Sequence, residues 1–294
     1  GMLTAVEVAN VKHVYESLKA GIDILWIGAR TSANPFAVQE IADSLRGVEI
    51  PVMVKNPINP DIELWIGALE RLNHAGIKKL AAIHRGFSVY TKSLYRNNPQ
   101  WQVPIELRRR IPKLPIITDP SHICGSRDLL FEISQKALDL SFDGLIIESH
   151  INPDKALSDA KQQLKPCALN ELIDNLILRK SDIENTMLMT TIEELRNEID
   201  KYDDKILDIF EQRMKVAEKI GEYKKKNSIT ILQSTRWDEL LHKRIESAGK
   251  KGLSEEFIIK VFRAIHQESI NVQTRIMNAI RMDEEKPAVK EDKE

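Results

Sequence analysis

The sequence predicts two fold classes in series: an α/β unit built as an incomplete (β/α)8 TIM barrel of about six of the eight units, then an all-α domain. Three observations lead there. Six short apolar runs alternate with amphipathic stretches over residues 1–182, and polar side chains collect where nearly every run ends. After residue 183 the apolar spacing changes to the 3 and 4 of a helix.

LTAVEVA (3–9), ILWIGA (24–29), PVMVKN (51–56), LAAIHRG (80–86), LPIITDP (114–120) and GLIIESH (144–150) are continuous enough to be strands of a parallel sheet, buried on both faces. PFAVQEIADSL and DIELWIGALERLNHAG read as helices between them. Six strands also suit an open doubly wound sheet. The placement of Arg30, Lys55, Arg85, His122 and Glu148 at the ends of the second to sixth runs favours a barrel, whose strand ends converge on one rim. The chain begins almost at once with a strand, so the two missing units are expected on the N-terminal side.

Thr191 with Glu194 reads as a capping box. Ile192, Leu195, Ile199, Tyr202, Ile206 and Ile209 then form one apolar stripe on a helix running to about Lys226, on the order of 50 Å long. A shorter helix follows LQST and stops near Gly249; a third starts at the N-cap Ser254 and runs to about Arg281. So long a helix with few partners in its own chain is expected to bury its stripe in a homodimer. The expected domains are therefore 1–182, 183–283, and a disordered tail at 284–294.

Charge is nearly balanced in both parts, with 22 Lys and Arg against 21 Asp and Glu in 1–182, and 21 against 23 beyond. No basic stripe points to nucleic acid, and no extended apolar segment points to a membrane. Cys124 and Cys167 cannot make a disulfide framework, so a reducing, cytoplasmic setting is expected.

His122 and Glu148 end successive runs, and Asp159 follows shortly after the last. An imidazole with two carboxylates and open positions suits a divalent ion such as Mn²⁺, Fe²⁺ or Zn²⁺. The plainer alternative is a His122 that caps a helix and a Glu148 paired with an arginine. Arg30, Lys55 and Arg85 on the same rim invite a phosphate or carboxylate, or else pair with the rim acids. In the helical half, Arg213 and Lys224 are eleven residues apart and fall within about 20° of one face, roughly 16 Å along the axis, so both could close on one small dianion. Arg196 lies roughly 25 Å before Arg213, within reach only from a second copy. Ser269 and Gln273, four apart, share a face. Each of these is alternatively a solvated helix position.

WIGART (26–31), VMVKNP (52–57), AIHRGF (82–87), ITDPSHICG (117–125) and IIESHINPDKALSDAKQQL (146–164) closely resemble DAHP synthase, which condenses phosphoenolpyruvate with erythrose 4-phosphate. The resemblance implies that His122, Glu148 and Asp159 hold the metal, and that Arg30, Lys55 and Arg85 hold phosphoenolpyruvate. KDO 8-phosphate synthase shares much of this barrel pattern but gives no reason for a helical partner domain. The family's GPCS motif, with its cysteine ligand, and its KPRT motif are absent, which agrees with the strand count. Cys124, two residues from His122 in a turn, is expected to be a bystander.

LRNEIDKYDDKILDIFEQRMKVAEKIGEYK (195–224) and AIHQESINVQTRI (264–276) resemble the all-α chorismate mutases, which rearrange chorismate to prephenate without a cofactor. The resemblance assigns Arg196 of a second copy, Arg213 and Arg236 to substrate carboxylates, Lys224 and Gln273 to the ether oxygen, and Ser269 to a carboxylate. Gln233 and Trp237 stand where the family has Asp and Glu, the Glu being its contact to the substrate hydroxyl. The leading expectation is a bifunctional enzyme of the shikimate pathway. The alternative is a chorismate mutase alone, carrying the barrel remnant as a scaffold or regulatory element.

Overall fold

A computed structural model describes residues 1–90, 93–179, 186–232 and 234–278, with the side chains of 186 and 234–236 outside that set. The chain divides into two compact units, Gly1–Asp182 and Ile183–Glu294.

In the first unit the strands are β1 (Ala5–Val8), β2 (Ile24–Ile27), β3 (Val52–Lys55), β4 (Leu80–His84), β5 (Ile116–Thr118) and β6 (Gly144–Leu145). They form one sheet in sequence order, and every neighbouring pair is parallel. A doubly wound sheet reverses its order at a switch point, whereas a barrel never does. The order therefore decides for the barrel pattern, and among the described residues the sheet stays open with β1 and β6 at its edges. The helices are α1 (Val11–Lys19), α2 (Ala29–Ser32), α3 (Pro35–Ser44), α4 (Ile62–His74), α5 (Gln102–Arg110), α6 (Pro120–Cys124), α7 (Leu130–Asp139) and α8 (Pro166–Asn175).

Local chemistry sets several of these boundaries. Asn10, Asn34 and Asp61 each accept from a backbone N–H of the first turn that follows, and Pro35 sits where its missing N–H costs nothing. Asp119 does the same for the short α6, accepting from His122 N at 3.1 Å.

Burial corrects one expectation. The strands were expected to be buried on both faces, but only one face is buried throughout: Leu25, Ile27, Val52, Val54, Ala82, His84, Ile116 and Thr118 are inaccessible, whereas across β3 and β4 the other face is buried only at Lys55 and Ile83. The opposite row is Glu7, Trp26, Met53 and Ala81, in register across β1 to β4, and it remains exposed or half-buried. In a closed barrel the far wall covers that row; an open sheet has none. The sixth strand is also shorter than expected, reduced to Gly144–Leu145. Glu148 N donates to Ser121 Oγ and Glu148 O accepts from Leu164 N, so the chain has already turned away from the ladder.

The second unit holds α9 (Thr186–Lys226), α10 (Ser234–Gly249) and α11 (Glu255–Asn278). With 41 residues α9 is about 60 Å long and starts earlier than the capping box implied. Thr191 is an interior residue whose hydroxyl donates to Met187 O, one turn back, so the helix continues through it. Ser254 caps α11 as expected, accepting from Phe257 N. Helix α9 lies against α11 closely at Gly221, where a Cβ would stand 3.3 Å from Gln273 Cα. Leu195, Ile199, Tyr202, Ile206 and Ile209 are all exposed within the chain. The end of the third helix beyond 278 and the expected tail lie outside the described residues.

Candidate functional site

Two clusters gather the candidate residues, one in each unit. In the α/β unit a cleft of ≈ 610 Å³ is lined by Glu7 from β1, Arg30 from α2, Lys55 from the end of β3, Arg85 just after β4, and by Arg96, Asn97, His122 and Asp159. Each predicted rim residue except Glu148 borders it. His122, Glu148 and Asp159 each offer a ligand atom, and those atoms lie within 4.8 Å of one another. His122 Nε2 faces Glu148 Oε1 at 3.8 Å.

Asp119 organises this cluster. Its carboxylate is wholly buried, meets the His122 ring Nδ1 at 2.9 Å and receives Lys55 Nζ at 3.0 Å. Burial pushes that carboxyl up, but the hydrogen bond with His122 and the Lys55 charge outweigh it and hold the group below the ordinary range. With Nδ1 engaged, Nε2 is the imidazole atom left for a ligand, the carboxylate–histidine arrangement that orients metal-binding imidazoles. Buried Gln162 donates to Glu148 Oε2 at 2.8 Å and accepts from Arg96 at 2.9 Å, and Arg96 also pairs with Asp159. Asp159 adopts a left-handed φ of 52°, a conformation Asp tolerates better than most residues.

Glycines let this layer form. A Cβ on Gly125 would lie 2.6 Å from Arg96 Cβ, and one on Gly86 would lie 2.7 Å from Asn97 O. The segment carrying Arg96 and Asn97 can rest on the rim only because both positions lack side chains. Asn97 then accepts from Arg85 at 2.9 Å and donates to His122 O at 2.6 Å. Burial lowers the Arg85 pKa, Asp119 opposes that, and Arg96 and Arg30 add to it, which places three guanidiniums around one cleft. Cys124 is buried, and desolvation pushes its thiol up to about 12, so it is no ready thiolate.

In the helical unit a cavity of ≈ 490 Å³ is lined by Arg213, Lys224, Ser269 and Gln273, together with Trp237, Arg244 and His266. Arg213 donates to Ser269 Oγ, and Lys224 donates to Ile231 O at 2.6 Å. Gln273 Oε1 is buried with no hydrogen-bond partner. Trp237 stacks on His266 at 4.1 Å, with 20° between the rings. Arg196 does not line the cavity; it is exposed and pairs with Glu193 at 3.4 Å. The Arg236 side chain and Gln233 lie outside the described residues.

Sequence reasoning missed Asp119, Arg96, Gln162, Arg244 and His266. Asp119 had a signal, an N-cap acid directly before Pro120 and three residues before His122. Arg244 follows Trp237 by seven residues and so shares its helix face. Arg96 and Gln162 reach the rim from loops and left no periodic trace.

Residues 1–184 match the model of the DAHP synthetase I family, and residues 195–274 match that of chorismate mutase type II. A phospho-2-dehydro-3-deoxyheptonate aldolase of Thermotoga maritima is 34% identical over 154 residues, which is 52% of this chain and 44% of that protein. A 4-amino-4-deoxychorismate mutase of Streptomyces venezuelae is 25% identical over 87 residues, 30% of this chain and 84% of the relative. Among solved structures, a truncated form of 3-deoxy-D-arabino-heptulosonate 7-phosphate synthase from Thermotoga maritima superposes with a TM-score of 0.52 at 30% identity, covering 59% of this chain and 64% of that one. The chain thus spans less than half the length of its aldolase relative.

Proposed function

The chain belongs to the DAHP synthetase I family through residues 1–184 and carries a chorismate mutase type II domain over 195–274, and on that premise we propose that it serves aromatic amino acid biosynthesis at two steps. The helical unit converts chorismate to prephenate. The α/β unit takes part in condensing phosphoenolpyruvate with erythrose 4-phosphate to DAHP. One observation carries the reading: in each unit, candidates far apart in sequence border one cavity of small-molecule size, with Arg213, Lys224, Ser269 and Gln273 around one and five of the six rim candidates around the other.

In the α/β unit the donor set fits a divalent ion, since an imidazole nitrogen oriented by Asp119 faces two carboxylates at close range. His122, Glu148 and Asp159 would hold it; Mn²⁺, Fe²⁺ or Zn²⁺ suits these donors. Such an ion supplies Lewis acidity to the aldehyde of the sugar phosphate. Arg30 and Arg85 bind the phosphate and carboxylate of phosphoenolpyruvate, with arginine able to engage in bidentate fashion, while Lys55 adds charge from beside the Asp119 carboxylate.

In the helical unit no cofactor is invoked. The rearrangement needs the reactive conformer held and the charge growing on the ether oxygen stabilised, and cations with an amide can do both. Arg213 and Ser269 hold a carboxylate, Lys224 and Gln273 face the ether oxygen, and Arg236 belongs to the same set. The exposed stripe on α9 and the distance of Arg196 from the cavity support a homodimer in which a second copy adds Arg196. Both steps belong to small-molecule biosynthesis, for which a cytoplasmic setting is the natural one. No described helix is long and apolar enough to cross a membrane.

Following the ultraviolet absorbance of chorismate tests the first activity. The wild type should consume it, and Lys224→Ala should lose at least a hundredfold in kcat; an unchanged trace at high protein concentration refutes the assignment. Calorimetric titration with Mn²⁺ tests the metal site. Binding that Glu148→Gln weakens at least tenfold supports the donor set, and no binding leaves the α/β unit as a scaffold.

A further inference from the structure

The cavity of the helical unit holds more positive charge than the residues assigned above account for. Arg213, Lys224 and Arg244 all line it, and among the described residues no Asp or Glu does. Among those residues, too, none of the three cations is in an ion pair. Lys224 is engaged with a backbone carbonyl and Arg213 with a hydroxyl, so each keeps its full charge.

Arg244 is the least committed of them. Its guanidinium carbon lies 5.8 Å from the centroid of the Phe262 ring, and it has no hydrogen-bond partner among the described residues. A cation–π contact at this distance uses none of the guanidinium's five N–H donors, which stay available. Trp237, Leu240 and Arg244 stand at i, i+3 and i+7 on α10, so the helix face that walls the cavity also carries Arg244. Arg244 is close enough to Arg213 that, after burial, it is the next cause lowering the Arg213 pKa. Two guanidiniums repelling across a cavity without a carboxylate make an arrangement that an anion relieves.

We propose that Arg244 is an anion-binding residue of this cavity, closing with Arg213 on one carboxylate of the ligand as a two-arginine clamp drawn from a single chain. The proposal rests on the reading that the helical unit binds chorismate and its product, both dicarboxylates. It assigns Arg244 to binding that ground state and transition state share, because a carboxylate keeps its charge throughout the rearrangement. Removing such an interaction raises KM and leaves kcat nearly unchanged.

The test uses the full chain, with Arg244→Met to keep an unbranched side chain of similar length without charge and Arg244→Lys to keep the charge without the fork. Steady-state turnover of chorismate gives kcat and KM; calorimetric titration with prephenate gives a Kd without turnover; circular dichroism checks folding. For Arg244→Met we expect KM and the prephenate Kd to rise together by about tenfold or more, with kcat within about threefold. Arg244→Lys should recover part of the loss. A folded Arg244→Met protein whose KM and Kd stay within about twofold of wild type overturns the clamp, as does an equal fall in kcat at constant KM. If Arg244→Met fails to fold, Arg244→Lys decides by the same two constants. A wild type that binds prephenate but converts no chorismate removes the reaction reading and leaves the binding comparison to judge Arg244. A wild type that binds no prephenate removes both.

Discussion

Acidification from pH 7.5 to pH 5 should cost the α/β unit about 2 kcal/mol of stability through one side chain, His84. It ends β4 on the helix-covered face, inaccessible, with the Trp101 ring centroid at 5.1 Å and Phe87 and Phe142 nearby. Its Nε2 lies 2.7 Å from Pro99 O, a carbonyl that can only accept, so Nε2 carries the proton and Nδ1 is left buried without a partner. Charging the ring would put a cation among aromatic side chains. Burial accordingly lowers its pKa from 6.5 to about 4, the Pro99 carbonyl opposing that only in part. The sign follows from the depressed value. The folded state prefers the neutral ring, so the contribution is complete above the unfolded pKa near 6.5 and is lost as pH falls toward 4. At pH 5 the unfolded chain has taken up nearly a full proton at this position and the folded chain about a tenth of one, which integrates to about 2 kcal/mol. Carboxylates held low by partners, such as Asp119, lose their contribution only at lower pH, below the unfolded value near 4. His84→Gln keeps a donor for Pro99 and cannot titrate. Urea unfolding followed by tryptophan fluorescence, in a Trp237→Phe background so that Trp26, Trp65 and Trp101 report the α/β unit, should show the loss in the protein that retains His84. The His84→Gln protein should lose about 2 kcal/mol less. Equal losses in the two proteins would refute the reasoning.

Asp119→Asn should weaken Mn²⁺ binding about 10- to 100-fold in calorimetry, because the imidazole loses its orienting carboxylate. It should also destabilise the unit by about 3–5 kcal/mol, since Lys55 is left buried without its partner; an unchanged Kd for the metal would show that Asp119 is only a cap. Gly221→Val forces a branched side chain against Gln273 Cα and should cost the helical unit about 1–3 kcal/mol in a urea melt. A melt like that of wild type would mean the helices approach less closely than 3.3 Å implies. His266 is held below the ordinary imidazole range by burial, then by Arg213 and Lys224. A bound dicarboxylate offsets those cations and raises the pKa again, so binding takes up protons and prephenate affinity should rise as pH falls into and below the ordinary imidazole range. Calorimetry of wild type and His266→Asn across that range checks this, and parallel pH dependence in the two rules out His266 as the source.

The features legible in the sequence were those with a period or a contiguous motif. Six runs gave six strands in order, and polar residues at their ends gave the rim, because a parallel sheet sends every strand end to one side. Arg213, Lys224, Ser269 and Gln273 were legible because helical spacing fixes which residues share a face. Contacts made by loops were not legible. Arg96 reaches Asp159 across 63 residues and Gln162 across 66, and the glycines that permit this approach look in sequence like ordinary turn residues. The half-exposed inner row of the sheet was misread for a related reason. An apolar run records that a strand is apolar, and says nothing of whether the opposite wall is there to cover it. Thr191 failed differently: its capping pattern is real, but a helix already running from Thr186 absorbs it.

The two sites differ in how their charges are balanced. At the rim three cations have protein partners: Lys55 pairs with Asp119, Arg96 with Asp159, and Arg85 bonds Asn97. Asp119 also fixes His122, so one buried carboxylate holds both a proposed substrate cation and a proposed metal ligand, and neither can shift without the other. Arg96 pairs with Asp159 and lines the same cleft, so an ion held at Asp159 and an anion entering the cleft would both have this guanidinium as a neighbour. The helical cavity has no such internal balance among its described residues. Among the described residues its cations share the lining with hydroxyl, amide, aromatic and aliphatic side chains and no carboxylate, and the acid that family resemblance leads one to expect at position 237 is a tryptophan stacked on His266. On the function proposed above, a cavity arranged in this way should favour a dicarboxylate over a neutral analogue of the same shape, because anionic groups offset the repulsion among Arg213, Lys224 and Arg244.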